Sequence, residues 1–312
     1  MSIYISIASY EDPFLERTIR SAIDNAKKPW NIYFGISTFY DKVEKPDLSF
    51  IKDGHAIILD SHPHNRPGLE KTRSVLRTLM GNQKYFLQID SHSLFSKDWD
   101  INLVKELEYL ESLAKNKVII SKYINESLVH QREDSSYIWR IDESLEKIDD
   151  NILTTLWTKA DIAGWDESKR IEHFYKTTMM AGCFIFCKSD FIKDIRGNNI
   201  GNFAHEEKMD SFNAYLMGYD IYTFKDKNYV SHNNREYNKI VYGESKSPIK
   251  DFTSNQNRDS AELQKEMERN FIFNDSKYFK VINAERTPEE FWKEIGLHDF
   301  YLKEKEKFIQ LD

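Results

Sequence analysis

The sequence predicts an α/β fold, a mixed and mainly parallel sheet with helices on both faces. Three observations carry this. Short apolar runs suited to strands alternate along the chain with segments of helical period. Residues 84–89 contain a nearly continuous apolar run, Tyr85, Phe86, Leu87 and Ile89, the pattern of a strand covered on both sides. The length of 312 residues is enough to bury a full core, as one large domain with an appendage or as two modest domains.

Residues 3–7 read as the first strand. Glu11-Asp12-Pro13 follows, where Asp12 is placed to cap a helix that begins at Pro13. In that helix Leu15, Ile19, Ala22 and Ala26 fall on one apolar stripe. Residues 31–36 and 56–59 read as strands, 68–80 as a helix carrying Arg73 and Arg77, and 84–89 as the central strand. A helix over 100–115 and a strand over 117–121 come next. The polar stretch 125–150 has few large apolar residues and suggests a hairpin or a partly mobile segment. Further strands are expected at 181–187, 219–224 and 228–231, with a helix at 205–217 between the first two. Beyond Tyr242 the chain turns polar, then helical over 261–269 and 287–295, where Thr287 and Glu290 have capping-box spacing. We expect a main domain over 1–244 and a mostly helical C-terminal extension over 245–312.

Charged residues make up 30% and aromatic residues 14%, a globular balance. The net charge of −7 argues against a broad nucleic-acid-binding face, while permitting a local basic cleft. The longest apolar stretches, such as 183–187 and 56–59, fall far short of the roughly 20 residues a membrane-spanning helix needs. The first residues lack a basic segment and a cleavage site, so cytoplasmic residence is expected. Cys183 and Cys187 are the two cysteines. On one strand they would stand roughly 13 Å apart, too far for a disulfide, so reduced thiols are expected.

Asp90 falls at the carboxyl end of the central strand, the edge where open α/β sheets bind ligands. Asp90 and His92 occupy alternate positions, so both side chains can point toward one divalent cation. A carboxylate and an imidazole holding such a cation would neutralise a departing diphosphate. Alone, Asp-X-His is a weak DXD-like signal, and Asp90 could equally cap the turn after its strand.

The company of the motif makes it specific. Arg66-Pro67-Gly68-Leu69-Glu70-Lys71-Thr72-Arg73 precedes a helix and then Tyr85-Phe86-Leu87-Gln88-Ile89-Asp90-Ser91-His92. This resembles the cytoplasmic hydroxyproline N-acetylglucosaminyltransferase family, and more distantly the polypeptide N-acetylgalactosaminyltransferases. Ser6-Ile7-Ala8-Ser9-Tyr10, Trp99-Asp100, Ala181-Gly182, the run from Phe203 to Glu207, Gly218-Tyr219-Asp220, the run from His232 to Arg235 and the tail from Arg286 to Gly296 follow in family order. Residues 123–180 match poorly.

The resemblance implies a GT-A, Rossmann-like fold and a metal-dependent glycosyltransferase. It would move a sugar from a nucleotide donor, UDP-linked and for instance UDP-GlcNAc, to a hydroxyl on protein or glycan. Retention of anomeric configuration comes from the resemblance alone, with a diphosphate oxygen taking the acceptor proton. Asp90, His92 and His232 would hold Mn²⁺ or Mg²⁺, and Ser91 would sit at the diphosphate. Arg235 resembles an arginine that contacts the diphosphate, and Arg73 one that helps hold the nucleotide. Arg suits phosphate because its planar fork makes two charge-assisted bonds; either could instead be a solvated charge. Ser6, Ala8, Ser9 and Tyr10 lie where such enzymes cradle the nucleoside, with Tyr10 a stacking platform or a core residue.

Glu206 and Glu207 match acids beside the transferred sugar, although a helix first turn favours acids in any protein. Phe203 and His205 stand where the polypeptide transferases carry Trp and Gly, so their acceptor geometry does not transfer. His55, His62 and His64 read as ordinary loop sequence. Trp157, Trp165 and Tyr175 suit a lid or a core.

Other readings stay open. One is a phage-type transferase acting on hydroxymethylated DNA bases, which would need a positive groove beside the metal. Others are a metal-dependent nucleotidyltransferase or phosphohydrolase, and an inactive sugar-nucleotide-binding module.

Overall fold

The computed structural model describes residues 1–41, 43–61, 68–124, 138–141, 158–161, 166–195, 206–224, 227–232 and 261–311. Along the chain the strands are β1 (Ile3–Tyr10), β2 (Ile32–Phe39), β3 (Ala56–Ser61), β4 (Tyr85–Asp90), β5 (Ser93–Phe95), β6 (Lys117–Ser121), β7 (Ile138–Ile141), β8 (Thr158–Asp161), β9 (Arg170–Ile171), β10 (Phe174–Thr177), β11 (Phe184–Lys188), β12 (Tyr219–Phe224) and β13 (Val230–His232). The helices are α1 (Leu15–Asp24), α2 (Leu69–Thr78), α3 (Trp99–Ala114), α4 (Ser189–Asp194), α5 (Glu206–Leu216), α6 (Ala261–Phe273), α7 (Pro288–Glu294) and α8 (His298–Leu311).

Nine strands form one mixed sheet in the order β3-β2-β1-β4-β11-β6-β12-β10-β9. The first four run parallel, as do β6 and β12, while β11 and β10 run against their neighbours. Side chains alternate across it, as the pleat requires. Ile3, Ile5 and Ile7 of β1 with Leu87 and Ile89 of β4 pack under Leu15, Ile19 and Ala22 of α1 and Trp99, Leu103 and Leu107 of α3. Tyr4, Phe86, Ile119 and Cys187 face the opposite way, toward Met80, Phe191, Ile192 and Ala214. Fully burying one such side chain stabilises the fold by about 1.5–3 kcal/mol. Helices cover both faces, as the sequence predicts.

A third apolar cluster joins Met209, Phe212 and Leu216 of α5 to Met267 and Phe271 of α6, Phe291 and Trp292 of α7, and Phe300 and Tyr301 of α8. Thr287 and Glu290 close the expected capping box at α7. Gly218 ends α5 with φ +83°, and a Cβ there would lie 2.2 Å from Oε2 of Glu285. Only glycine turns the chain so tightly into β12. No described helix is long and apolar enough to cross a membrane.

Several boundaries differ from expectation. α1 begins at Leu15 rather than Pro13, with Phe14 at its N-cap; Asp12 accepts from the Phe14 amide at 2.8 Å in the turn before it and does not cap the helix. β11 starts at Phe184 rather than 181, since Ala181 closes a turn by accepting from the Phe184 amide. β7 pairs with β8, a partner beyond the 125–150 stretch. Short strands β5, β9 and β10 and helices α4 and α8 are not legible from period alone.

Candidate active site

Parallel pairing places Ala8 of β1 beside Asp90 of β4, at the carboxyl edge of the sheet. By alternation Asp90 shares the face of Gln88 and Phe86, the face that α2 covers. There Arg73 donates through Nη2 to Oδ1 of Asp90 at 2.8 Å and through Nη1 to Oε2 of Glu206 at 2.9 Å. Arg77, one turn on, donates to Oδ2 of Asp210 at 2.6 Å, to Oε1 of Gln88 at 3.1 Å and to Oε1 of Glu206 at 3.4 Å. Glu207 accepts from the Gly182 amide at 2.6 Å. Buried charges persist only when paired in this way.

Two guanidinium groups here face the carboxylates of Asp90, Glu206 and Asp210. Burial alone would raise the Asp90 carboxyl, but the neighbouring imidazoles and Arg73 hold it below its usual value. Burial raises Asp210 in spite of Arg77.

The imidazoles come from an antiparallel ladder. His232, at the end of β13, pairs with Ser93 of β5, directly after His92. The two rings lie 4.9 Å apart between centroids. Nε2 of His232 is 3.5 Å from Oδ2 of Asp90, and it is buried with no hydrogen-bond partner. Burial pushes the His232 imidazole down to about 4 against the opposing pull of Asp90, so at neutral pH the ring is uncharged and keeps a lone pair. Ligand atoms of Asp90, His92 and His232 all lie within 4.8 Å of one another. Among the described residues this is the one cluster of that kind. A carboxylate with two imidazoles and an orphaned ring nitrogen suits a divalent cation. The residues present fit the metal that the resemblance implies.

The motif is held from below. Thr18 of α1 donates to the Ser91 carbonyl at 2.7 Å and accepts from the Ser93 amide at 2.9 Å. Trp99 donates to the Ala22 carbonyl at 2.8 Å, and Asp100 accepts from the amides of Lys27 and Lys28 at 2.7 and 2.9 Å. The Trp99-Asp100 pair therefore ties α3 to α1 rather than touching the cluster. The chain leading into β13 is fixed by Lys122, which donates to the Lys227 carbonyl at 2.8 Å and to Oδ1 of Asn228 at 2.7 Å.

The expected site residues separate into groups. Asp90, His92 and His232 converge. Ser91 is buried beside them and donates to Asp12. Arg73 is 4% exposed and occupied by two carboxylates, so it braces Asp90 and is no solvated helix charge. Glu206 is 2% exposed and spent on Arg73 and Arg77, whereas Glu207, at the same helix start, is half-buried. Ser6 and Ser9 are each 1% exposed within the sheet, leaving Ala8 and Tyr10 as the half-buried positions at the end of β1. Arg235, Phe203, His205, His62, His64, Trp157 and Trp165 lie outside the described residues. His55 stacks on Tyr33 at 4.6 Å and bonds the Ile32 carbonyl, a structural role. Tyr175 is buried in β10 and donates to Glu167. Both thiols are free, Cys187 buried and Cys183 half-buried, and burial raises both.

Asp12, Arg77 and Gln88 belong to this centre, although the sequence alone gives none of them a site role. Asp12 had a signal, an acid in the turn after the first strand, but that signal equally suits a helix cap.

A profile described as "Glycosyltransferase (GlcNAc)" matches residues 2–56 and 58–300. The chain belongs to this glycosyltransferase family. A search of curated proteins found no match. Among solved structures, GalNAc-T7 with UDP, GalNAc and Mn²⁺ superimposes with a TM-score of 0.57 at 14% identity, over 95% of this chain and 56% of that one. The family member described here thus spans little more than half the length of that structure. Staphylococcus aureus TarS 1-349 in complex with UDP-GlcNAc gives a TM-score of 0.48 at 14% identity, over 96% of this chain and 73% of that one. The likeness to GalNAc-T7 concerns the fold, which is GT-A.

Proposed function

We propose that this glycosyltransferase is metal-dependent and retaining, and that it transfers a sugar from a UDP-linked donor such as UDP-GlcNAc to a hydroxyl on protein or glycan. The observation that carries this reading is the convergence of Asp90, His92 and the partnerless Nε2 of His232 at the carboxyl edge of β4. That GalNAc-T7 is seen with UDP, GalNAc and Mn²⁺ supports a UDP-sugar and Mn²⁺ or Mg²⁺ here. A divalent cation bound there would draw off the charge of the leaving diphosphate.

The chain's own residues do the positioning. Arg73 fixes one oxygen of Asp90, so the other is held toward His232. We assign Glu207, half-buried and bonded to the Gly182 amide, to orienting a sugar hydroxyl; Glu206 acts through Arg73. Ala8 and Tyr10 present the surface at which a nucleoside would lie. We assign Arg235 to the diphosphate on the resemblance alone. We also take residues 1–244 as the catalytic part and 245–312 as its helical extension, working in the cytoplasm.

The test is Mn²⁺-dependent release of nucleoside diphosphate from a panel of nucleotide sugars, with wild type compared to Asp90→Ala. We expect release from a UDP-sugar in the wild type and its loss in the variant. Equal release by both, or release of pyrophosphate instead, overturns the reading.

A further inference from the structure

Asp12 stands outside the expected ligand set and has no assigned part in the reaction. It is 1% exposed, in the turn between β1 and α1. Its Oδ1 accepts from the Phe14 amide at 2.8 Å, which fixes the side chain. Its Oδ2 accepts from the Ser91 hydroxyl and lies 2.9 Å from Nδ1 of His92. The turn itself is made for this. Glu11 sits in the left-handed region at φ 48°, unusual for a residue with a side chain, and its carboxylate accepts from the amides of Asp41 and Val43, both at 2.9 Å. Tyr40 adds a hydroxyl bond to the Asp12 carbonyl at 2.6 Å. A strained turn, held from two sides, thus delivers one buried carboxylate to the middle and last residues of the Asp90-Ser91-His92 motif.

We propose that Asp12 is a positioning residue that fixes the tautomer and orientation of His92 for the cation. This inference rests on the metal-dependent reading above. Because a carboxylate oxygen can only accept, the ring proton of neutral His92 belongs on Nδ1, and the lone pair is then on Nε2. A carboxylate behind a ligating imidazole also raises its basicity, and its loss typically weakens metal binding about 10- to 100-fold. The second bond, from Ser91, sets the loop between the two ligands, so Asp12 governs the spacing of Asp90 and His92 as well as the ring.

The experiment has two readouts, neither of them turnover. The first is the nitrogen-15 spectrum of the histidine rings in metal-free protein, with His92 assigned by its disappearance in His92→Asn. The Nδ1-protonated pattern is expected in wild type, and an Nε2-protonated ring overturns the proposal without need of any Asp12 variant. The second is direct titration with Mn²⁺ of wild type, Asp90→Ala, Asp12→Asn and Asp12→Ala, each checked for a cooperative thermal transition. We expect Asp90→Ala to abolish binding and Asp12→Asn to weaken it at least about 10-fold, in line with the effect of other carboxylates behind metal-bound histidines. Wild-type affinity in a folded Asp12 variant overturns the proposal while leaving the metal site standing. Failure of the wild type to bind Mn²⁺ overturns the metal-dependent reading, and the ring spectrum still decides the tautomer.

Discussion

Arg73 holds Oδ1 of Asp90 at 2.8 Å while Oδ2 of the same carboxylate stands 3.5 Å from His232. One oxygen is thus committed to the interior and the other to the cluster. The guanidinium can do this because its second nitrogen is anchored on Glu206 at 2.9 Å; burial alone would lower its proton affinity, but the carboxylates of Glu206 and Asp90 more than offset this and raise it. A buried cation bridging two carboxylates sets direction more than it adds net stability.

Arg73→Lys keeps the charge but loses the fork that reaches two acids at once. One carboxylate would lose its hydrogen bond to the guanidinium, with Glu206 keeping only Arg77 at 3.4 Å or Asp90 only the imidazoles, so we expect destabilisation by about 1–3 kcal/mol. Urea denaturation measures it, and an unchanged midpoint contradicts the bridging role.

Gly182→Ala tests the same bridge from the other side. A Cβ there would lie 2.6 Å from Nη1 of Arg73 and 3.2 Å from Oε1 of Glu207. Both side chains must shift, with an overpacking cost of about 1–3 kcal/mol. We expect a lower melting temperature together with a fall in donor turnover, because Arg73 carries its displacement to Asp90.

His232→Leu separates function from stability. The imidazole buries an Nε2 that has no hydrogen-bond partner, a penalty of about 1–3 kcal/mol that an apolar side chain does not incur. In metal-free buffer the variant is expected to be at least as stable as wild type, yet to have lost Mn²⁺ binding. A large loss of metal-free stability would show that the ring is a packing element rather than a ligand.

Glu106 supports β13 from a distance, accepting from Lys227, from Tyr229 at 2.7 Å and from His173 at 2.6 Å. Burial alone would raise its carboxyl, but these donors hold it below the ordinary value of 4.5. A folded-state value below the unfolded one means that the stabilisation is present above the unfolded carboxyl range and is lost as pH falls through the folded value. Glu106→Gln should therefore cost about 1–3 kcal/mol near neutral pH. The gap between variant and wild type should close on acidification. A gap that stays constant down to acid pH would exclude the charge as its source.

The alternation of strands and helices, the doubly buried character of β4 and the place of Asp90 at its end were legible in one dimension, since they follow from period and from apolar runs. The family resemblance, from Gly68 to His92 and again from His232 to Arg235, also marked Asp90, His92 and His232 as a set. What surrounds them comes from contacts between segments far apart in the chain. Asp12 reads as a helix cap in one dimension, and only the meeting of two adjacent parallel strands brings it within 2.9 Å of His92. Glu206 and Glu207 are indistinguishable neighbours in sequence, but helix α5 turns one into the Arg73–Arg77 lattice and the other to the Gly182 amide. Local pattern fixes which backbone a segment adopts; partners far apart in sequence, and the burial that makes their charges cost energy, decide which side chains act together.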